Sequence, residues 1–175
     1  MNKLTTLLII IMTTNTLSSQ EWITPVIEGY GKIRNFENVA AQPDASLVYN
    51  LVFDVASDRE MDGVNIGIWK IARLINILGA ANISKDSIHI VAAVHGGATF
   101  ATLGEAKYQE KYEKENPNAE LLQLLNDYGV EILVCAQATA ARDIEAADLN
   151  PNSKLGLSAM MVLANYQLKG YALMP

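Results

Sequence analysis

Cys135 is the only cysteine in the 175-residue chain. It closes the apolar run Val130-Glu131-Ile132-Leu133-Val134 and precedes an alanine-rich stretch holding Gln137 and Arg142. A thiol between a strand and a helix start feels unpaired backbone N–H groups and the positive end of the helix dipole, both of which favour the thiolate. A thiolate attacks the sulfur of disulfides and persulfides. Arg142, about two turns further on, would add positive charge if the segment folds back. The competing reading is a small buried hydrophobe, since free cysteine is among the most buried residue types. Two further polar features stand at the ends of apolar runs: Asp54 with the Ser57-Asp58 loop, and His95 with Gly96-Gly97. Paired glycines after His95 let a ligand approach the backbone; the competing reading of His95 is a hydrogen-bonded histidine at a strand–loop junction.

Other chemistries lack their residues. His89 and His95 share one strand, and without a second cysteine they complete no familiar zinc set. Gly96-Gly97 is neither a dinucleotide fingerprint nor a phosphate-binding loop. A Gly-x-Ser-x-Gly elbow is missing, which removes the serine-hydrolase reading. No cofactor and no metal are expected, and a flavin ranks low for want of a phosphate-gripping loop.

For Asp54, His95 and Cys135 to act together they must lie on one edge of a sheet. Residues 47–55 are rich in β-branched and aromatic side chains and predict the first strand. Val64, Ile68, Ile71, Ile75 and Leu78 then lay one apolar stripe along a helix that Gly79 should close. Residues 87–95 form a second, almost wholly apolar strand, as expected when both faces are covered. A charged helix over 105–115 pairs Glu110 with Lys114 and presents a solvated face. A further helix carries Leu121, Leu122, Leu125 and Tyr128, and Gly129 ends it before the Cys135 strand. The alanine-rich stretch 138–147 reads as a helix. A last helix carrying Leu157, Met160, Met161 and Leu168 is closed by Gly170 before a short strand over 171–174. Met160, Met161 and Trp69 are expected in the core or against other subunits. The alternation predicts an α/β fold, a three-layer sandwich with a mainly parallel sheet and helices on both faces. Ligands of such sheets bind at the C-terminal edge of the strands, where all three candidates fall.

Half of the residues are hydrophobic and 18% are charged, so a folded domain with a sizeable core is expected. The net charge of −6 offers no basic footprint for nucleic acid. Residues 1–18 have the form of a secretory signal peptide: Lys3, an apolar stretch from Leu4 to Met12, then Thr16-Leu17-Ser18. Export, to the periplasm, is expected, with no membrane attachment once the leader is removed. Residues 19–45 hold Trp22, Pro25, Gly29, Gly31, Phe36 and Pro43 without a period and read as an irregular N-terminal arm. Residues 46–175 form the α/β domain. In an oxidising compartment a lone cysteine must be buried, pair with another chain, or react.

The chain resembles the DsrE/DsrF-like family, whose fold is the YchN-like sandwich. The carriers are Val94-His95-Gly96, the strand Gly129 to Cys135 with Ala140-Ala141-Arg142 behind it, and the C-terminal Ser158-Ala159-Met160 and Tyr166 to Pro175. The resemblance implies a homo-oligomer, a trimer or hexamer. It also implies, as in the sulfur-relay members, a persulfide carried on the residue matching Cys135 and exchanged with a sulfur donor or acceptor protein. His95 and Arg142 would be its neighbours. The glycine that usually follows the arginine is Asp143 here. The alternative is an oligomeric scaffold or small-ligand-binding module whose cysteine is structural.

Overall fold

The computed structural model describes residues 21–175; the predicted leader lies outside the described residues. Five parallel strands form the main sheet in the order β6-β5-β4-β1-β7: β1 (Tyr49–Val55), β4 (Ile88–Val94), β5 (Glu131–Cys135), β6 (Lys154–Gly156) and β7 (Ala172–Met174). A small hairpin of β2 (Glu60–Met61) and β3 (Val64–Asn65) precedes the first helix. The expected α/β sandwich is therefore found, and its main sheet is parallel throughout.

One face is covered by α1 (Ile66–Ala80) and α3 (Ala119–Tyr128). The stripe Ile68, Ile71, Ile75 and Leu78 is buried against Phe53, Val55, Ala92 and Val94 and the leucines of α3. Asn65 caps α1, its Oδ1 accepting from the N–H groups of Gly67 (2.9 Å) and Ile68 (3.3 Å). The helix starts later than its stripe suggests because Asp62 and Gly63, both at positive φ, make a two-residue hairpin turn and leave Val64 in a strand. It also ends later. Gly79 lies inside the helix, where a Cβ would stand 2.2 Å from Val26 Cγ2, so this glycine makes room for the arm rather than closing the helix. Gly129 (φ +111) and Gly170 (φ +89) do take the expected left-handed conformation after α3 and after the last helix.

Residues 21–48 run along the outer side of α1 without regular structure apart from an antiparallel bridge between Ile23 and Ile33. Asn76 of α1 ties the segment down through its side chain. Gly31 packs so closely that a Cβ would fall 2.2 Å from the backbone nitrogen of Arg73.

Among the described residues the other face carries a single helix, α5 (Ala159–Leu168), which crosses the sheet from β6 to β7. Its core is small: Val52, Val91, Ala93 and Val162, with Leu133, Leu163, Tyr166 and Tyr171 packed around them. Met160, Met161, Leu157 and Leu168 do not join this core but are exposed, because a lone helix has only one side to bury.

Two phenols are fastened to carboxylates at these faces, Tyr30 to Glu120 (2.6 Å) and Tyr166 to Glu131. Burial first, then the bonded carboxylate, pushes both phenols from 10.0 up to about 12. An acid harder to ionise in the folded state contributes stability that is fully present below pH 10 and is lost as pH rises through 12. Denaturation midpoints should therefore fall over that window, and Tyr166→Phe should flatten part of the fall.

Candidate functional site at the carboxyl edge of the sheet

Because the strands are parallel, β1, β4 and β5 deliver their last residues to the same edge. Asp54 and His95 meet there, with His95 Nε2 2.6 Å from Asp54 Oδ1. Their side chains share the α5 face: Val52 and Ala93, one pleat earlier, belong to the core beneath α5. The backbone N–H of His95 also donates to Val55 O at 2.9 Å, which prolongs the ladder and holds the residue extended.

Cys135 is the last residue of β5 and the N-cap of α4 (Ala136–Ala140). The register pairs Val94 with Val134, so the next rung sets His95 beside Cys135 on neighbouring strands. On its other side Cys135 pairs with Gly156, whose missing Cβ would face Val162 of α5 at 2.8 Å. In-register neighbours of a parallel sheet share a face, so acid, imidazole and thiol all lie on the α5 side. Cys135 is 7% exposed and forms no disulfide. Gln137 donates through Nε2 to Leu157 O (3.4 Å), which draws the segment leading into α5 over this edge.

The glycine pair after His95 has a steric reason. Gly96 sits at φ +55, and a Cβ there would lie 2.8 Å from Ala56 O; one on Gly97 would lie 2.9 Å from Asp58 Cβ. The loop after β1 thus packs directly on the 3-10 turn Gly96–Thr102.

Arg142 is not brought to the thiol. Its Nη1 donates to Ala138 O (2.8 Å), and the guanidinium lies 5.6 Å from the Phe100 ring centre. That places its charge on the carbonyl end of α4, opposite the end Cys135 caps. The expected helix over 138–147 stops at Ala140. Asp143 adopts φ 52 just beyond it, a conformation that favours glycine. Asp143→Gly should relieve this strain and raise stability by about 0.5 kcal/mol after the greater freedom of glycine in the unfolded chain is set against it. Chemical denaturation measures the difference.

A polar cleft of about 300 Å³ opens on the opposite face of the same edge, between Asp58, Glu60, Phe100, Tyr108, Tyr112 and Lys114. Its helix, α2 (Glu105–Tyr112), is shorter than expected and ends with Glu113 in the left-handed region. Tyr108 is buried, with its ring centre 4.6 Å from that of Tyr112, and Glu110 pairs with Lys107 (3.0 Å) instead of Lys114. The Tyr108/Tyr112 spacing along the helix was the signal for this wall. Beneath it Asn65 N–H donates to Asn118 Oδ1 (2.7 Å), and Asn116 Nδ2 donates to Leu103 O (2.7 Å), a buried amide network that ties three loops together. Burial, and secondarily the negative charge of Asp58, hold the Tyr112 phenol above its ordinary value.

Among the described residues no cluster of His, Cys, Asp and Glu could hold a metal ion, and no helix is long and apolar enough to cross a membrane.

The solved structure of MTH1491 from Methanobacterium thermoautotrophicum, a protein of unknown function, shares this fold. Its TM-score is 0.50 at 16% identity, covering 72% of this chain and 97% of that one. The crystal structure of YchN from E. coli aligns with a TM-score of 0.49 at 16% identity, over 71% of this chain and 96% of that one. No curated protein matches the chain in sequence. The model of the DsrE/DsrF-like family matches residues 50–175, from β1 through the Asp54, His95 and Cys135 edge to β7. The chain belongs to the DsrE/DsrF-like family.

Proposed function

We propose that this chain handles sulfane sulfur through a persulfide on Cys135. The observation that carries the reading is the Asp54–His95 pair, 2.6 Å apart, on the rung beside the thiol. An imidazole oriented by a carboxylate accepts the thiol proton, and the N-terminus of α4 favours the resulting thiolate. The thiolate attacks the outer sulfur of a donor persulfide. A new S–S bond forms at Cys135, the donor's S–S bond breaks, and the donor leaves as a thiolate. Transfer to an acceptor thiol runs the same exchange onward. Family membership supports a sulfur-related role.

Treating the reduced protein with inorganic polysulfide and weighing the intact chain tests this. One added sulfur at Cys135 is expected, absent from Cys135→Ser and slowed in His95→Gln. No addition in native protein, with a thiol that labels only after denaturation, would overturn it.

That outcome belongs to the second reading, an oligomeric scaffold or ligand-binding module with a structural cysteine, which the low exposure of Cys135 favours. Both readings include self-association. The exposed side chains Leu157, Met160, Met161 and Leu168 around α5 form an apolar face, and covering it with further copies of the chain removes that surface from water. Export after cleavage of residues 1–18 completes the proposal; N-terminal sequencing of the secreted chain tests it.

A further inference from the structure

The arm that precedes the family-matched residues builds a groove on α1, far from the Cys135 edge in the fold. Trp22, Ile33, Arg34 and Phe36 from the arm face Arg73 and Ile77 of α1 across an apolar space of about 330 Å³. It continues into a second space of about 200 Å³ that shares Ile33, Arg34, Phe36 and Ile77 and reaches Ala80 and Ala81. Trp22, Phe36, Val39 and Ile77 leave large apolar surface open to solvent there.

Arg34 lines both spaces and Arg73 the first, and both guanidinium groups rest on aromatic rings. Arg34 lies 4.7 Å from the centre of Trp22, and Arg73 lies 5.9 Å from Trp22 and 5.0 Å from Trp69. Neither takes part in an ion pair among the described residues, where the pairs are Lys32–Asp62, His95–Asp54 and Lys107–Glu110. Stacking on indole fixes a guanidinium while leaving its in-plane N–H donors available. A planar array of donors matches a carboxylate in bidentate fashion. The apolar floor beyond matches a hydrocarbon tail.

We propose that the groove binds a single-tailed amphiphilic anion, with its carboxylate on Arg34 and Arg73 and its tail along Ile33, Phe36 and Ile77 toward Ala81. The modest volume suits one acyl chain rather than a bilayer surface. The arm would then be a ligand-binding addition to the family domain, independent of the thiol.

Both tryptophans of the chain lie within 5.9 Å of the Arg73 guanidinium, so their emission reports on the site. Titration of the purified protein with decanoate should give a saturable change in emission, and decanol a response at least about tenfold weaker, as expected for loss of a charged hydrogen bond. Arg34→Gln with Arg73→Gln should weaken decanoate binding by at least about tenfold. Ile77→Glu, at an exposed position, should do so by setting a carboxylate against the hydrocarbon tail while leaving the thermal melt in place. The proposal is overturned if decanoate gives no saturable change or decanol binds equally. It also falls if the Ile77→Glu protein, folded by its melt, binds like the parent, or if the protein sediments with phosphatidylglycerol vesicles while ignoring free decanoate.

Discussion

Asn76→Ala should cost about 3 kcal/mol and free the arm from α1. Asn76 is fully buried and spends its whole amide on the arm. Its Oδ1 accepts from the N–H groups of Val26 (2.9 Å) and Ile27 (2.8 Å), while Nδ2 donates to the carbonyls of Tyr30 (2.8 Å) and Gly31 (3.1 Å). Alanine removes all four bonds and leaves buried backbone groups without partners, and the unpaired groups, more than the lost bonds, set the size of the effect. Aspartate at the same position keeps the acceptor but turns a second oxygen on the two carbonyls, so Asn76→Asp should not rescue. Urea denaturation gives the stability change, and limited proteolysis should show new cleavage within residues 21–48. A loss below about 0.5 kcal/mol, within the range of ordinary surface changes, would mean that the arm is held by other contacts.

The second large effect concerns the helix above the thiol. Gly156→Val should destabilise the protein by about 1–3 kcal/mol, the usual range for overpacking, and expose Cys135. A Cβ at Gly156 would already lie 2.8 Å from Val162 Cγ2, and valine adds two methyl groups beyond it. Val162 is one of the two buried side chains of α5, with Ala159, and the larger of them, so its displacement disturbs the seat of the helix on Val52, Val91 and Ala93. Gly156 pairs with Cys135 across β5 and β6, which puts the disturbance beside the thiol. Labelling of the folded protein with a disulfide reagent should be faster than in the parent. Unchanged labelling with a lowered denaturation midpoint would show that α5 shifts without opening the edge.

Long periodic elements were legible in the sequence because their burial is nearly one-sided or complete. The α1 stripe and the apolar β4 run are examples. Convergence of Asp54, His95 and Cys135 was legible too, since parallel strands must deliver their ends to one edge. What escaped was decided by contacts between distant segments. Lys154–Gly156 carries no period, and it becomes strand β6 through pairing with β5. The Asp62-Gly63 turn lies directly before the apolar stripe that begins at Val64, and that stripe hides it. The role of Gly79 depends on Val26, and the direction of Arg142 depends on Phe100, a residue of another turn. Alanine content overstated α4, because propensity alone does not carry a helix through Asp143 at positive φ, and Ile144 reaches the core outside any helix. The Tyr108 and Tyr112 wall needed the hairpin opposite, which only the folded chain supplies.

The crossover of α5 has a kinetic consequence. β1 pairs with β4 on one side and with β7 on the other, and β7 is the last strand in the chain order. During synthesis, the outer edge of β1 stays open while every other strand of the sheet can already be in place. An open edge on a strand as apolar as Leu51-Val52-Phe53 is a template for mispairing with another chain. Contacts so distant along the chain form late. Refolding should therefore be limited by arrival of the 172–174 segment, and aggregation during refolding should rise steeply with protein concentration until that strand docks.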